Sequence, residues 1–184
     1  MTGIASRSQL RMSFLRHALV TVPAIVLVGT LSGSLSGSGT DNAWFAALAK
    51  PDFMPPGWAF GAAWTLIYIL LGLSLAMVLH ARGAVGREKA LVLFAVQLLL
   101  NFAWSPVFFG MHKVSIALSM VAAMIIVAVA MIVLIWRIRP VAAALLLPYL
   151  GWLMFALALN FQIVALNPGA ETLVPAASST DIAF

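Results

Sequence analysis

Four long stretches without a charged residue constrain this chain more than any other feature. Phe53–Leu79, Ala90–Met111, Val114–Trp136 and Val141–Leu166 each run for more than 20 residues without Lys, Arg, Asp or Glu. A helix needs about 20 apolar residues to cross a bilayer core, and in lipid its backbone polar groups must pair within the segment. Only 8% of the chain is charged, against about 25% in soluble domains. The sequence therefore predicts an all-α integral membrane bundle.

A fifth span is predicted near the amino terminus, where Ala18–Leu31 is apolar and follows Arg7, Arg11 and Arg16. The same pattern is compatible with a signal peptide. Against that reading, Pro23 interrupts the apolar core and no clear Ala-x-Ala cleavage site follows. We therefore expect five transmembrane helices.

The organisation expected from these spans is one transmembrane domain over residues 1–167. The remaining residues, 168–184, are polar and are predicted to form a disordered tail. Connections between the last four spans are only a few residues long, so consecutive helices are expected to be antiparallel neighbours.

Basic residues predict the orientation. With five spans, eight of the ten fall on one side, whereas Lys50 and Lys113 fall on the other. The positive-inside rule then places the amino terminus in the cytoplasm if the host is a plasma-type membrane. We expect a bacterial cell envelope rather than a mitochondrial outer membrane. The basic residues form short clusters and no stripe, so a nucleic-acid partner is not expected.

The connection from Ser32 to Pro55 is unusually long for a compact domain, and loops of that length are usually functional or disordered. Within it, Asp41–Ala49 has the pattern of a capped, short amphipathic helix. Lys50 and Pro51 end this helix. The sequence therefore predicts a structured loop, a lid, between helices 1 and 2.

Two tryptophans lie near mid-depth of their predicted spans. Trp64 is about 14 Å along its helix from Pro55, and Trp152 is about 18 Å from Pro140, at about 1.5 Å per residue. Tryptophans that anchor a protein at the membrane surface lie at segment ends. These two therefore need another explanation.

Helical spacing places the unusual residues of three helices on single faces. Buried indoles, phenols and carboxamides need partners in lipid, so these faces should point into the bundle. The carboxamides then act either as glue between helices or as part of a ligand cavity. Three coincident stripes beneath a lid favour the cavity, and the small Ala156 leaves room for a flat guest. The stripes are Trp64 and Tyr68; Gln97, Asn101, Trp104 and Phe108; and Tyr149, Trp152, Ala156 and Asn160.

Reactive groups are missing from the last four spans, which contain no Asp, Glu, Lys, Arg or His, and cysteine is absent from the chain. Ion-coupled transporters usually carry ionisable groups within the membrane. No pattern for acid–base catalysis or for a metal site occurs. We predict no catalytic residue, no metal ligand and no required cofactor.

Three ordered blocks, Trp44–Tyr68, Gln97–Gly110 and Pro148–Phe161, resemble the signature of the TspO/translocator protein family, also called tryptophan-rich sensory proteins or peripheral-type benzodiazepine receptors. The resemblance implies a five-helix bundle, usually a homodimer in the bilayer, with a pocket for porphyrins such as haem and, in animal members, sterols and benzodiazepine-type drugs. By motif position, the ligand-binding residues would be Trp44, Trp64, Tyr68, Asn101, Trp104, Phe108, Tyr149, Trp152 and Ala156.

Three functions follow from this resemblance. The first is a receptor or sensor for porphyrin-type tetrapyrroles, and the second is a transporter of porphyrin, sterol or another small hydrophobic metabolite. The third is light-dependent porphyrin breakdown, which in some bacterial members is attributed to tryptophans that correspond to Trp64 and Trp152. The sterol-recognition pattern of animal members is missing, because no Tyr or basic residue follows Asn160 in its helix.

Overall fold

The computed structural model describes residues 7–174, so the first six residues and residues 175–184 of the expected tail lie outside it. Within this range the chain forms seven α-helices and no strand. Five helical segments are long and apolar enough to cross a membrane, which confirms the all-α five-span fold. The helices are α1 Arg7–Leu35, α2 Ala43–Ala47, α3 Gly57–His80, α4 Arg87–Ser105, α5 Val114–Ile138, α6 Pro140–Ala144 and α7 Leu147–Leu166.

The spans form a ring. α4 packs on α5, and α5 packs on α6 and α7, as the short connections predict. α3 and α4 are consecutive but share only a limited contact, because α1 packs along α3 and also contacts α4. α3 closes the ring against α6 and α7. The amino-terminal helix is therefore an integral part of the bundle.

Small residues allow α1 and α3 to approach closely. A Cβ atom at Gly72 would lie 2.6 Å from Cα of Val22, and one at Gly29 would overlap the Tyr68 ring. The Thr21 hydroxyl donates to the Gly72 carbonyl at 2.8 Å. Close backbone approach of this kind is how helices gain packing energy in lipid.

Prolines shape two other helices. Pro106 has no N–H to donate, and α4 continues as one π-helical turn, Pro106–Gly110. Pro148 also lacks an N–H to donate. The last span is not the single helix predicted from Val141 but divides into α6 and α7, with a break at Leu145 and Leu146. The break leaves Tyr149 in the first turn of α7.

Two predicted boundaries differ from the structure. α1 continues to Leu35, so the first four residues of the predicted connection, 32–35, are helical. α3 begins at Gly57 rather than at Pro55, because Pro56 is extended. Trp64 therefore lies about 10 Å into its helix, at about 1.5 Å per residue, rather than about 14 Å.

The chain beyond α7 is ordered as far as it is described. A short 3₁₀ turn, Ala170–Thr172, follows the last span, and Ala170 is buried. Over residues 168–174 the structure thus differs from the expected disordered tail. This segment is ordered by tertiary contacts with the lid, which a local sequence pattern does not predict.

Candidate functional site

A cavity of about 660 Å³ lies inside the ring of spans, beneath the loop that carries α2. Binding sites for small molecules usually have volumes of about 300–1,000 Å³. Seven of the nine predicted ligand-binding residues line this cavity, and two do not. The seven are Trp64, Tyr68, Asn101, Trp104, Phe108, Trp152 and Ala156, and the two are Trp44 and Tyr149.

The centre of the cavity wall is aromatic. The Trp64 and Trp152 rings meet edge to face, with centroids 6.2 Å apart and planes at 78°. Tyr68 packs on Trp64 at 5.3 Å, and Phe60 packs on Trp152 at 5.8 Å. Phe60 is not among the predicted site residues, although it lies one helical turn before Trp64.

A second aromatic pair comes from α4 and its π turn. Trp104 and Phe108 are stacked, with ring centroids 4.9 Å apart and an angle of 14° between planes. The Trp104 indole N–H donates to the Ala117 carbonyl at 3.2 Å, so the ring is fixed against α5. The stacking and this hydrogen bond together hold this half of the wall against α5.

Tyr149 is fully buried beneath the cavity floor. Its hydroxyl oxygen accepts hydrogen bonds from Nε2 of Gln97 at 2.5 Å and from Nδ2 of Asn101 at 3.1 Å. These bonds join α4 to α7, so two of the carboxamides do act as glue between helices. Tyr149 itself does not line the cavity, and its place in the site is to position Asn101.

Several polar atoms at the cavity have no hydrogen-bond partner among residues 7–174. They are Oδ1 of Asn101, Oγ of Ser105, and both Oδ1 and Nδ2 of Asn160. Leaving such a buried group unpaired costs about 1–3 kcal/mol. The residues that line the cavity thus include uncharged donors and acceptors that the described chain leaves unpaired.

The lid contains a short helix, α2, as predicted. Its N-cap is Asn42, whose side chain accepts from the Phe45 N–H at 2.9 Å. At its other end the Lys50 ammonium donates to the carbonyls of Phe45, Ala46 and Leu48, at 2.8 to 3.1 Å. Both ends of α2 are therefore capped by side chains.

Trp44 is buried but does not line the cavity. Its ring stacks on His112 at 4.3 Å, and its edge meets Phe108 at 5.5 Å. Its indole N–H donates to the Ala170 carbonyl at 2.9 Å. The next residue, Phe45, lines the cavity instead.

The segment after α7 fastens the lid. The Asn167 side chain accepts from the Ala49 N–H at 2.8 Å and donates to the Ala49 carbonyl at 2.9 Å. Further along, Glu171 pairs with Lys113 at 3.3 Å and accepts from the Ser115 N–H at 3.2 Å. The hydrogen bond from Ser115 is the main cause that lowers the pKa of Glu171. The lid is thus tied to α5 through this carboxyl-terminal segment.

Comparison with known proteins agrees with this architecture. Residues 20–166 match the model of the TspO/MBR family. The chain is 39% identical to the tryptophan-rich protein TspO of Archaeoglobus fulgidus, over 81% of this chain and 95% of that protein. It is 37% identical to the translocator protein of Sus scrofa, over 80% and 92%. It is also 37% identical to the tryptophan-rich sensory protein of Cereibacter sphaeroides, over 67% and 77%.

The match extends from α1 to the end of α7, so it includes every span and the lid. The three signature blocks carry the lid, the aromatic wall and the Tyr149 network. This integral membrane protein with five spans therefore belongs to the TspO/MBR family.

Proposed function

We propose that the protein is a membrane receptor or sensor that binds a porphyrin-type tetrapyrrole in the cavity beneath the lid. The observation that carries the proposal is the character of the cavity wall. It is aromatic at its centre, and among its described lining residues only Lys50, near the lid, is charged. Such a wall suits a large, flat and mostly apolar guest.

The arrangement of Trp64 and Trp152 limits how such a guest lies. Their planes are nearly perpendicular and their centroids are 6.2 Å apart. One flat ring cannot stack face to face on both indoles, nor does it fit between them. We propose that the macrocycle stacks on one indole and meets the edge of the other.

Lys50 supplies positive charge where the lid meets the cavity. Its ammonium lies 4.9 Å from the Phe45 ring centroid and already donates to three backbone carbonyls. A carboxylate of the ligand would thus compete with these carbonyls for the ammonium. We propose that Lys50 attracts an acidic ligand to the mouth more than it fixes the bound one.

The lid lies on the side of the bundle that carries Lys50 and Lys113, opposite the eight other basic residues. By the positive-inside rule the cavity mouth then faces away from the cytoplasm. We propose this orientation for a bacterial cell envelope. We also propose that the protein forms a homodimer, as the family resemblance implies. Analytical ultracentrifugation in detergent tests this proposal.

The experiment is a titration of the purified protein in detergent with protoporphyrin, haem and a sterol, followed by quenching of tryptophan fluorescence. The double variant Trp64→Phe/Trp152→Phe should bind protoporphyrin more weakly, by at least about fivefold, because each aromatic contact adds about 0.5–1.5 kcal/mol. Trp136→Phe is the control, since that indole is exposed at the end of α5. Unchanged affinity in the double variant would remove this cavity as the binding site.

Transport is the second candidate. The relative in Sus scrofa is named translocator protein, and its 37% identity brings that possibility to this chain. Flux of protoporphyrin into liposomes that contain the protein distinguishes the two functions. Saturable binding without flux favours the receptor, whereas saturable flux that is lost in the double variant favours transport.

A further inference from the structure

Asn160 differs from every other carboxamide in the spans. It is 1% exposed, lies in α7 and lines the cavity. Neither its Oδ1 nor its Nδ2 has a hydrogen-bond partner within the described chain. A buried amide in an apolar setting needs such partners, because its desolvation otherwise goes uncompensated.

Within the described chain, Asn160 therefore does not join two helices through hydrogen bonds. Gln97 and Asn101 each donate to Tyr149 across the interface of α4 and α7, so they are glue. No residue of the described range stands opposite Asn160 in the same way. Asn160 is instead one of the residues that line the cavity.

The position of Asn160 along α7 indicates which part of a ligand it meets. It lies eleven residues beyond Tyr149 and eight beyond Trp152, or about 16 Å and about 12 Å along the axis. Tyr149 marks the floor of the cavity, and α7 runs toward the lid. Asn160 is therefore at the lid end, above the aromatic centre of the wall.

We propose that Asn160 is a ligand-binding residue, whose carboxamide pairs with an uncharged group that presents a donor and an acceptor side by side. A protonated carboxyl or a primary amide has this form. Its acceptor receives the Nδ2–H, and its donor reaches Oδ1. An ionised carboxylate has acceptors only and leaves Oδ1 unpaired. This inference rests on the proposed function and specifies the edge of the tetrapyrrole that faces the lid.

The arrangement fits a macrocycle that carries its acid side chains on one edge. The apolar body occupies the aromatic centre near Trp152, and the acid edge points up toward Asn160. In this low-dielectric site a carboxyl is held more easily in its neutral form. Asn160 thus selects for the protonation state of the ligand as well as for its shape.

The test uses three probes with one macrocycle, namely protoporphyrin, its dimethyl ester and its diamide. The ester keeps an acceptor but lacks the donor, whereas the diamide has both at every pH. Asn160→Leu should weaken binding of the diamide by about tenfold, the effect of losing a pair of hydrogen bonds. Binding of the ester should change by less than about threefold, the effect of one hydrogen bond at most.

Gln162→Leu is the matched control, since it removes an exposed carboxamide from the same helix. Asn160→Ser keeps one donor and one acceptor, and its affinity for the diamide should lie between those of the wild type and Asn160→Leu. Folding of each variant is checked by circular dichroism and by size-exclusion chromatography.

The possible outcomes separate the two proposals. If Asn160→Leu weakens the binding of the ester and of the diamide equally, the residue only fills space. If the variant binds both probes as tightly as the wild type does, the residue does not contact the ligand. Either result overturns the role of Asn160 and leaves the cavity as a tetrapyrrole site. Failure of all three probes to bind the wild type overturns both.

Discussion

The Trp64 and Trp152 indoles touch edge to face, at 6.2 Å between centroids and 78° between planes. They come from α3 and α7, which are not consecutive spans, and they join at the centre of the cavity wall. A ligand at this wall contacts both rings at once, so their contributions to binding should not be independent.

The first prediction follows from that contact. In a double-mutant cycle with Trp64→Phe and Trp152→Phe, the two losses in protoporphyrin affinity should couple by about 0.5–1.5 kcal/mol. Isothermal titration calorimetry of the four proteins measures the coupling. Losses that simply add would show that the two rings contact separate ligands or separate parts of one.

The second prediction concerns the space beside Trp152. Ala156→Leu puts a larger side chain into the cavity and should weaken porphyrin binding by about tenfold or more, since inserting methylene groups where a ligand packs costs about 1–3 kcal/mol. The unliganded protein should keep its melting temperature, because the cavity has room. Ala158→Leu, an exposed position on the same helix, is the control. Equal affinity in both variants would place the ligand elsewhere.

The third prediction tests the floor of the cavity. Tyr149→Phe removes the acceptor of the Gln97 and Asn101 amides and should destabilise the protein by about 1–3 kcal/mol, the cost of leaving buried donors unpaired. Thermal unfolding in detergent, followed by circular dichroism, gives the change. Tyr68→Phe should have little effect, because the Tyr68 hydroxyl makes no hydrogen bond within residues 7–174. A loss of similar size in both would contradict the role given to Tyr149.

Much of this architecture can be read from the sequence, because in lipid the length of each apolar run determines where a helix can cross. The faces of α3 and α4 are also predictable, since Trp64 and Tyr68, or Asn101 and Trp104, are joined by unbroken helix. The depth of a residue along its helix is less predictable, because it depends on where the helix begins. Pro56 delays α3 and Pro148 splits the last span, and both effects are visible only once the backbone is known.

The roles of Trp44 and Asn160 depend on tertiary contacts. α2 has only five residues, so either Trp44 or Phe45 satisfies its pattern, and docking of the lid on Ala170 decides which one faces the cavity. Asn101 and Asn160 are the same residue type on similar stripes. Tyr149 happens to face the first, whereas the described chain offers the second no partner.

The fourth prediction is a pH dependence at the carboxyl-terminal segment. Because the folded-state pKa of Glu171 lies below its ordinary value of about 4.5, its contribution to stability is present above that pH. The contribution is lost as the pH falls through the lower folded-state pKa. The melting temperature of the wild type should therefore drop more between pH 6 and pH 3 than that of Glu171→Gln. Asp52→Asn, which removes an exposed carboxylate from the lid loop, should behave like the wild type.

The last prediction tests how the lid is fastened. Asn167→Ala removes both bonds to the Ala49 backbone, and at about 0.5–1.5 kcal/mol each the lid should open about 5 to 150 times more often. Hydrogen exchange of residues 41–50, measured by mass spectrometry, should speed up accordingly, and protoporphyrin should both enter and leave faster. Ser119→Ala, whose hydroxyl bonds only within its own helix, is the control. Faster exchange without faster release would mean that the ligand does not leave beneath the lid, and that the cavity opens by another route.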